Sequence, residues 1–203
     1  MFAGGNRDEV EAIDVATKVV RYRLTGHHKE GASAIAVSEK INVVATGATA
    51  GGVARVQLWR LGTGEKIGEF SPQGDRRVDS LAFSRDSSQL AIGIAGTVQV
   101  YLLADKRVTQ TIVVHPVFSG FDGAFTADGK ALISCQSHPV LWDIASGKRV
   151  RHFGPFVDAC HSVDVSPDGR FVAATSFASD VKIWEIATGT FYRRLGIDVK
   201  PPR

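Results

Sequence analysis

Val56-Gln57-Leu58-Trp59, Val98-Gln99-Val100-Tyr101, Val140-Leu141-Trp142 and Val181-Lys182-Ile183-Trp184 are short apolar stretches, each closed by an aromatic residue. The aromatics stand 42, 41 and 42 residues apart. A fixed period in the low forties with a terminal aromatic predicts an all-β array of the propeller kind. Each repeat would be one four-stranded sheet that cannot bury its faces alone, so neighbours must stack.

The residues between the aromatics support that reading. After Trp59, Gly62-Thr63-Gly64 turns the chain into the alternating stretch Lys66-Ile67-Gly68-Glu69-Phe70. A loop through Pro72 and Gly74 leads to Val78–Phe83, Ser84-Arg85-Asp86-Ser87 turns it into Leu90–Ile94, and Ala95-Gly96 opens the strand ending in Tyr101. That is four short strands divided by turn residues. Thr126-Ala127-Asp128-Gly129 and Ser166-Pro167-Asp168-Gly169 repeat the Asp86 turn, with glycine supplying the tolerance of positive φ. Their repetition marks these carboxylates as structural, since catalysis needs one site and not one per repeat.

Bulk properties exclude several classes. The 203 residues are 44% hydrophobic and 22% charged, ordinary for a water-exposed globular chain. No apolar run reaches the roughly 18 residues of a membrane span, and the first residues have no apolar core of a secretion signal. A cytoplasmic location is the expectation. The net charge of +3 is too small to argue for nucleic acid. Lys18, Arg21 and Arg23, Lys148, Arg149 and Arg151, and Arg193 and Arg194 recur in the segment after each repeat's core strand. On an outermost strand they would discourage pairing with another chain.

These residues resemble the WD40 family over nearly the whole chain. Trp142-Asp143 is the family's eponymous dipeptide, and Trp59-Arg60, Tyr101-Leu102, Trp184-Glu185 and Ile13-Asp14 are degenerate forms of it. His27 and His115 stand 11 residues before Ser38 and Thr126, where the family places its His. The resemblance implies a hydrogen-bonded His, Ser/Thr, Asp and Trp set in each blade. Asp180 fits the Asp role beside Trp184, but its repeat lacks the His, and so does the repeat carrying Pro72-Gln73. Asn42–Gly47, with the loop and strand that follow, is similar to the early repeats of ciliary and microtubule-associated members.

Residues 1–24 read as a blade lacking its first strand, followed by complete blades over 33–70, 78–112, 121–153 and 160–195. Either Ile197-Asp198-Val199 returns as the missing strand, or the chain is part of a larger propeller. The seven-blade ring usual in the family favours the second.

Catalytic chemistry finds little support. Gly47-Ala48-Thr49-Ala50-Gly51-Gly52 lacks the Gly-Lys-Ser/Thr ending of a phosphate loop. The histidines show no paired ligand spacing, so no metal is expected. Cys135 and Cys160, 25 residues apart, suggest neither a metal pair nor a disulfide framework, and each reads as a small buried residue. No enzymatic activity and no cofactor are expected. Phe118, Phe156 and Phe177, with His138 and Asp158, fall in loops that a propeller gathers on one face, a pattern suited to a protein or peptide partner. The function expected is a non-catalytic interaction scaffold within a multiprotein complex. The alternatives are a ciliary or microtubule-associated protein, and a regulatory portion of a larger enzyme.

Overall fold

The computed structural model describes residues 2–4, 9–25, 31–74, 77–114, 122–135, 137–154, 159–176 and 180–196. Every regular element in them is a β-strand. The chain divides into two compact units, residues 1–121 and 122–203.

The first unit holds three sheets. Strands β1 (Phe2–Gly4), β2 (Glu9–Ile13) and β3 (Val20–Thr25) form a three-stranded sheet in that order. Strands β4 (Ala32–Ser38), β5 (Val43–Ala50), β6 (Val53–Arg60) and β7 (Lys66–Phe70) form the next, with each strand beside its sequence neighbour. Strands β8 (Val78–Phe83), β9 (Gln89–Ile94), β10 (Thr97–Leu102) and β11 (Arg107–Val113) repeat that order. Short Gly- and Asp-containing turns allow only antiparallel neighbours, and every pairing is antiparallel.

The second unit holds two sheets. One comprises β12 (Asp122–Phe125), β13 (Ala131–Cys135), β14 (Val140–Asp143) and β15 (Arg149–His152). The other comprises β16 (Cys160–Val165), β17 (Phe171–Ser176), β18 (Asp180–Glu185) and β19 (Phe191–Gly196).

The repeat has a geometric mark that is the same in all five sheets. The pairing of the last two strands shifts register at Ala12/Ile13, Leu58/Trp59, Val100/Tyr101, Leu141/Trp142 and Ile183/Trp184. Each bulge falls at the position that closes the apolar stretch. The extra residue lies on the outer strand each time, at Arg21, Ile67, Thr109, Val150 and Tyr192, so it is the outer strand that bends at the same point in each repeat.

Cores lie between stacked sheets. In the first unit Ala45, Val56, Val78, Leu81, Leu90, Ile92, Ile94 and Tyr101 bury one interface. Val10, Leu24, Val44 and Trp59 bury the other. Strand β9 is buried almost throughout, as expected for an inner strand covered on both faces. In the second unit Ile133, Leu141, Phe153, Val163, Val172, Ala174, Trp184 and Ile186 form the core. Two sheets approach closely at Gly47, where a Cβ would stand 2.5 Å from Val78 Cγ1, so only glycine fits there without displacing β8.

Candidate functional site

The repeat residues serve as anchors. The Trp59 indole Nε1 donates to Thr46 Oγ1 at 2.8 Å, inside a site where both residues are buried. Trp142 Nε1 donates to Ser134 Oγ at 2.8 Å. Ala174 holds the corresponding place in β17 and offers no hydroxyl. Trp184, 0% exposed, is held there among rings, with Phe153 and Phe191 each 6.2 Å away between centroids. Tyr101 stacks on Phe70 of the neighbouring sheet at 3.9 Å and 6°, and burial pushes its hydroxyl pKa up. Asp143 accepts from Ser146 Oγ and Ser146 N, bonds that lower its pKa.

Asp180 departs from its expected role. It is buried and accepts from Arg194 Nε at 2.8 Å, forming an ion pair across β18 and β19. The outer strand supplies the partner that the resemblance would have drawn from a His.

The Asp turns repeat one circuit three times. Ser84 Oγ, Thr126 Oγ1 and Ser166 Oγ donate to the carboxylates of Asp86, Asp128 and Asp168. The amides of Ser88, Lys130 and Arg170 donate to the same oxygens. These hydroxyl bonds, the largest cause, and then the amide bonds hold all three carboxyls below the usual range, Asp86 at about 2. Perturbed carboxyls often mark catalysis, but here each is consumed by its own turn.

Gln99 was not singled out in the sequence. It is 2% exposed and clasps a loop backbone: Gln73 N donates to its Oε1 at 3.0 Å, and its Nε2 donates to Gln73 O. This amide bridge stands in the repeat that lacks the His. The available signal was a glutamine repeated at the period, Gln57 and Gln99, inside otherwise apolar strands.

Gln57 takes a different partner, Glu69. Gln57 Nε2 donates to Glu69 at 3.1 Å, and the same carboxylate pairs with Arg55 and Lys66. The Lys66 bond leads, followed by Gln57, and the Glu69 pKa falls from 4.5 to about 2. A depressed carboxyl stabilises the fold above its unfolded pKa, and that stability is lost as pH falls through the folded value. Glu69→Gln should therefore flatten the fall in melting temperature between pH 4.5 and about 2. An unchanged slope would show that the Glu69 cluster contributes nothing to acid stability.

One expectation needs correction. Cys135 and Cys160 are bonded in a disulfide with Cα atoms 5.3 Å apart, where a pair of inert thiols and no disulfide was expected. The sequence separation of 25 closes because β13 and β16 belong to adjacent sheets, within the reach of a disulfide. Several outer-strand cations are engaged within the fold. Arg21 pairs with Asp14, Arg23 with Glu11 and Arg194 with Asp180, while Arg151 donates to the carbonyls of Ile186 and Ala187.

Of the candidate partner-binding face, the structure places His138. Its Nε2 lies 2.7 Å from His152 Nδ1, and its Nδ1 lies 2.9 Å from Ser137 Oγ. Burial, then Arg149 and His138, lower the His152 pKa. A hydrogen bond between two ring nitrogens needs one of them unprotonated. Phe118, Phe156, Asp158 and Phe177 lie outside the described residues, as do His27 and His115.

Among the described residues, no group of three or more His, Cys, Asp or Glu is placed to hold a metal, and no helix is long and apolar enough to cross a membrane. A cleft of about 490 Å³ in the second unit is walled by Asp128, Asp168, Arg151, Leu141 and Val150. Its carboxylates belong to turns and its guanidinium to backbone carbonyls, so no free acid–base pair converges there.

The family model for the WD domain, G-beta repeat, matches residues 147–185. No curated protein matches the chain. The matched segment runs from β15 through β18, so one sequence repeat takes the outer strand of one sheet and three strands of the next. The matched segment is one WD40 repeat, and the neighbouring sheets repeat its strand order.

Proposed function

We propose that this chain is a non-catalytic platform for protein interaction, binding a protein or peptide through loops gathered at one end of its sheets. The WD40 repeat at residues 147–185 carries this reading, since such repeats generally mediate protein interactions. The chemistry of the described residues supports it. Perturbed carboxyls are spent on turns, and buried polar side chains such as Gln99 and Asp180 bond within the scaffold. Rigid strands hold loop ends in place, and the loops are left to vary for recognition.

Phe156→Ala and Phe177→Ala test the reading by affinity capture followed by mass spectrometry. Both variants should retain less partner while melting at the wild-type temperature. Undiminished capture with a lowered melting temperature would make these rings core residues and remove the loops from the binding site.

A further inference from the structure

We propose that the free edge of β19 is a docking strand for an extended segment that alternates apolar and acidic residues. The strand is the last in its sheet, so one side of its backbone has no strand partner among the described residues. Such an edge is a template for β-augmentation, in which main-chain bonds give affinity and alternate side chains give selectivity.

The side chains of β19 set it apart from the other outer strands. Phe191, Tyr192 and Leu195 are 51%, 63% and 45% exposed. The cations of β3, β7 and β11 are balanced by carboxylates close in sequence or on the next strand: Arg21 and Arg23 by Asp14 and Glu11, Lys66 by Glu69, Arg107 by Asp105. Strand β19 contains no acidic residue, as is also true of β15, but among the described outer strands it alone carries exposed Phe and Tyr rings. Asp180 engages Arg194, which leaves Arg193 without a carboxylate partner among the described residues. Glu185, the nearest acid on the adjoining strand, accepts from Thr188.

Register defines what the edge would select. Arg193 pairs with Ile183 and Leu195 with Val181, so the two side chains share a face. Tyr192, in the bulge, leans towards Phe171 at 4.8 Å. An added strand would meet an apolar position at Leu195, a cation at Arg193 and an aromatic ring at Tyr192. The complement is an apolar residue opposite Leu195 and an acid two positions away opposite Arg193, with an apolar residue beyond the acid to meet the adjacent Tyr192 ring. A second copy of β19 fits poorly, because antiparallel self-pairing would set Arg193 and Arg194 of each copy against one another.

This inference rests on the reading of the chain as an interaction platform but is measured without its loops. Fluorescein-labelled peptides TVTETVT and TVTKTVT are titrated into the full chain by anisotropy. The glutamate peptide should bind more tightly by roughly tenfold, and Arg193→Glu should reverse the order. Leu195→Thr should weaken the glutamate peptide. Both side chains are exposed, so melting temperatures should hold. No binding, equal affinity for the two peptides, or a preference unchanged in Arg193→Glu would overturn the proposal. So would a dimer, seen by sedimentation, that Arg193→Glu abolishes, since the edge would then serve a second copy. Failure here with loop-dependent capture intact removes the edge site and leaves the platform standing.

Discussion

Trp184→Ala is expected to cost about 3–5 kcal/mol, the range for deleting a large aromatic from a core that cannot collapse around the space. Trp184 is 0% exposed and sits in the core with Val172, Ala174 and Ile186. Phe153 and Phe191 approach its ring from two sides. Trp142 holds the same place in the preceding sheet but is only half-buried. Trp142→Ala should therefore cost less, although it also frees the Ser134 hydroxyl. Chemical denaturation followed by circular dichroism compares the two. Equal losses would mean that position in the repeat, and not burial, sets the contribution of the aromatic.

The second large effect belongs to the disulfide. Reducing Cys135–Cys160 should lower the stability of the second unit by about 3.5 kcal/mol, the chain-entropy value for a loop of this size. Both sulfurs sit in the core, with Cys135 2% and Cys160 6% exposed. Comparing oxidised and dithiol-reduced protein keeps every atom in place except the bond and its two hydrogens. Trp142 and Trp184 both lie in the second unit and Trp59 in the first. A Trp59→Phe background makes fluorescence report the second unit alone. Free thiols confirmed by mass, with no shift in the denaturation midpoint, would show that inter-sheet packing suffices without the bond.

These two predictions divide the molecule between what neighbours in sequence decide and what distant residues decide. Trp184 was readable because a strand's alternation and its closing aromatic are local features, repeated until they stand out from composition. The turns at Asp86, Asp128 and Asp168 were readable for the same reason: hydroxyl, carboxylate and amide lie within a few residues of one another. The disulfide was not. Nothing in a spacing of 25 residues says that two strand ends from different sheets stand 5.3 Å apart.

The supporting polar contacts follow the same division. The resemblance supplied a template of His, hydroxyl, Asp and Trp, and in the two repeats without the His buried polar side chains take other partners. Arg194 holds Asp180, and Gln99 holds the backbone of Gln73. Each substitute lies on another strand or beyond another turn, so its suitability depends on orientation across the sheet. The candidate face was legible as a set of loop residues only, with His138 the one member the structure places, against His152.

By itself the sequence determined the all-β class, the antiparallel four-stranded repeat, the aromatic anchors and the Asp-capped turns. All are set by the backbone preferences and alternation of residues within one repeat. Tertiary structure decided which side chains meet between sheets: the Cys135–Cys160 bond, the Tyr101–Phe70 stack and the close approach at Gly47. Those contacts depend on how one twisted sheet seats on the next, and that seating is fixed by the packing of both surfaces together.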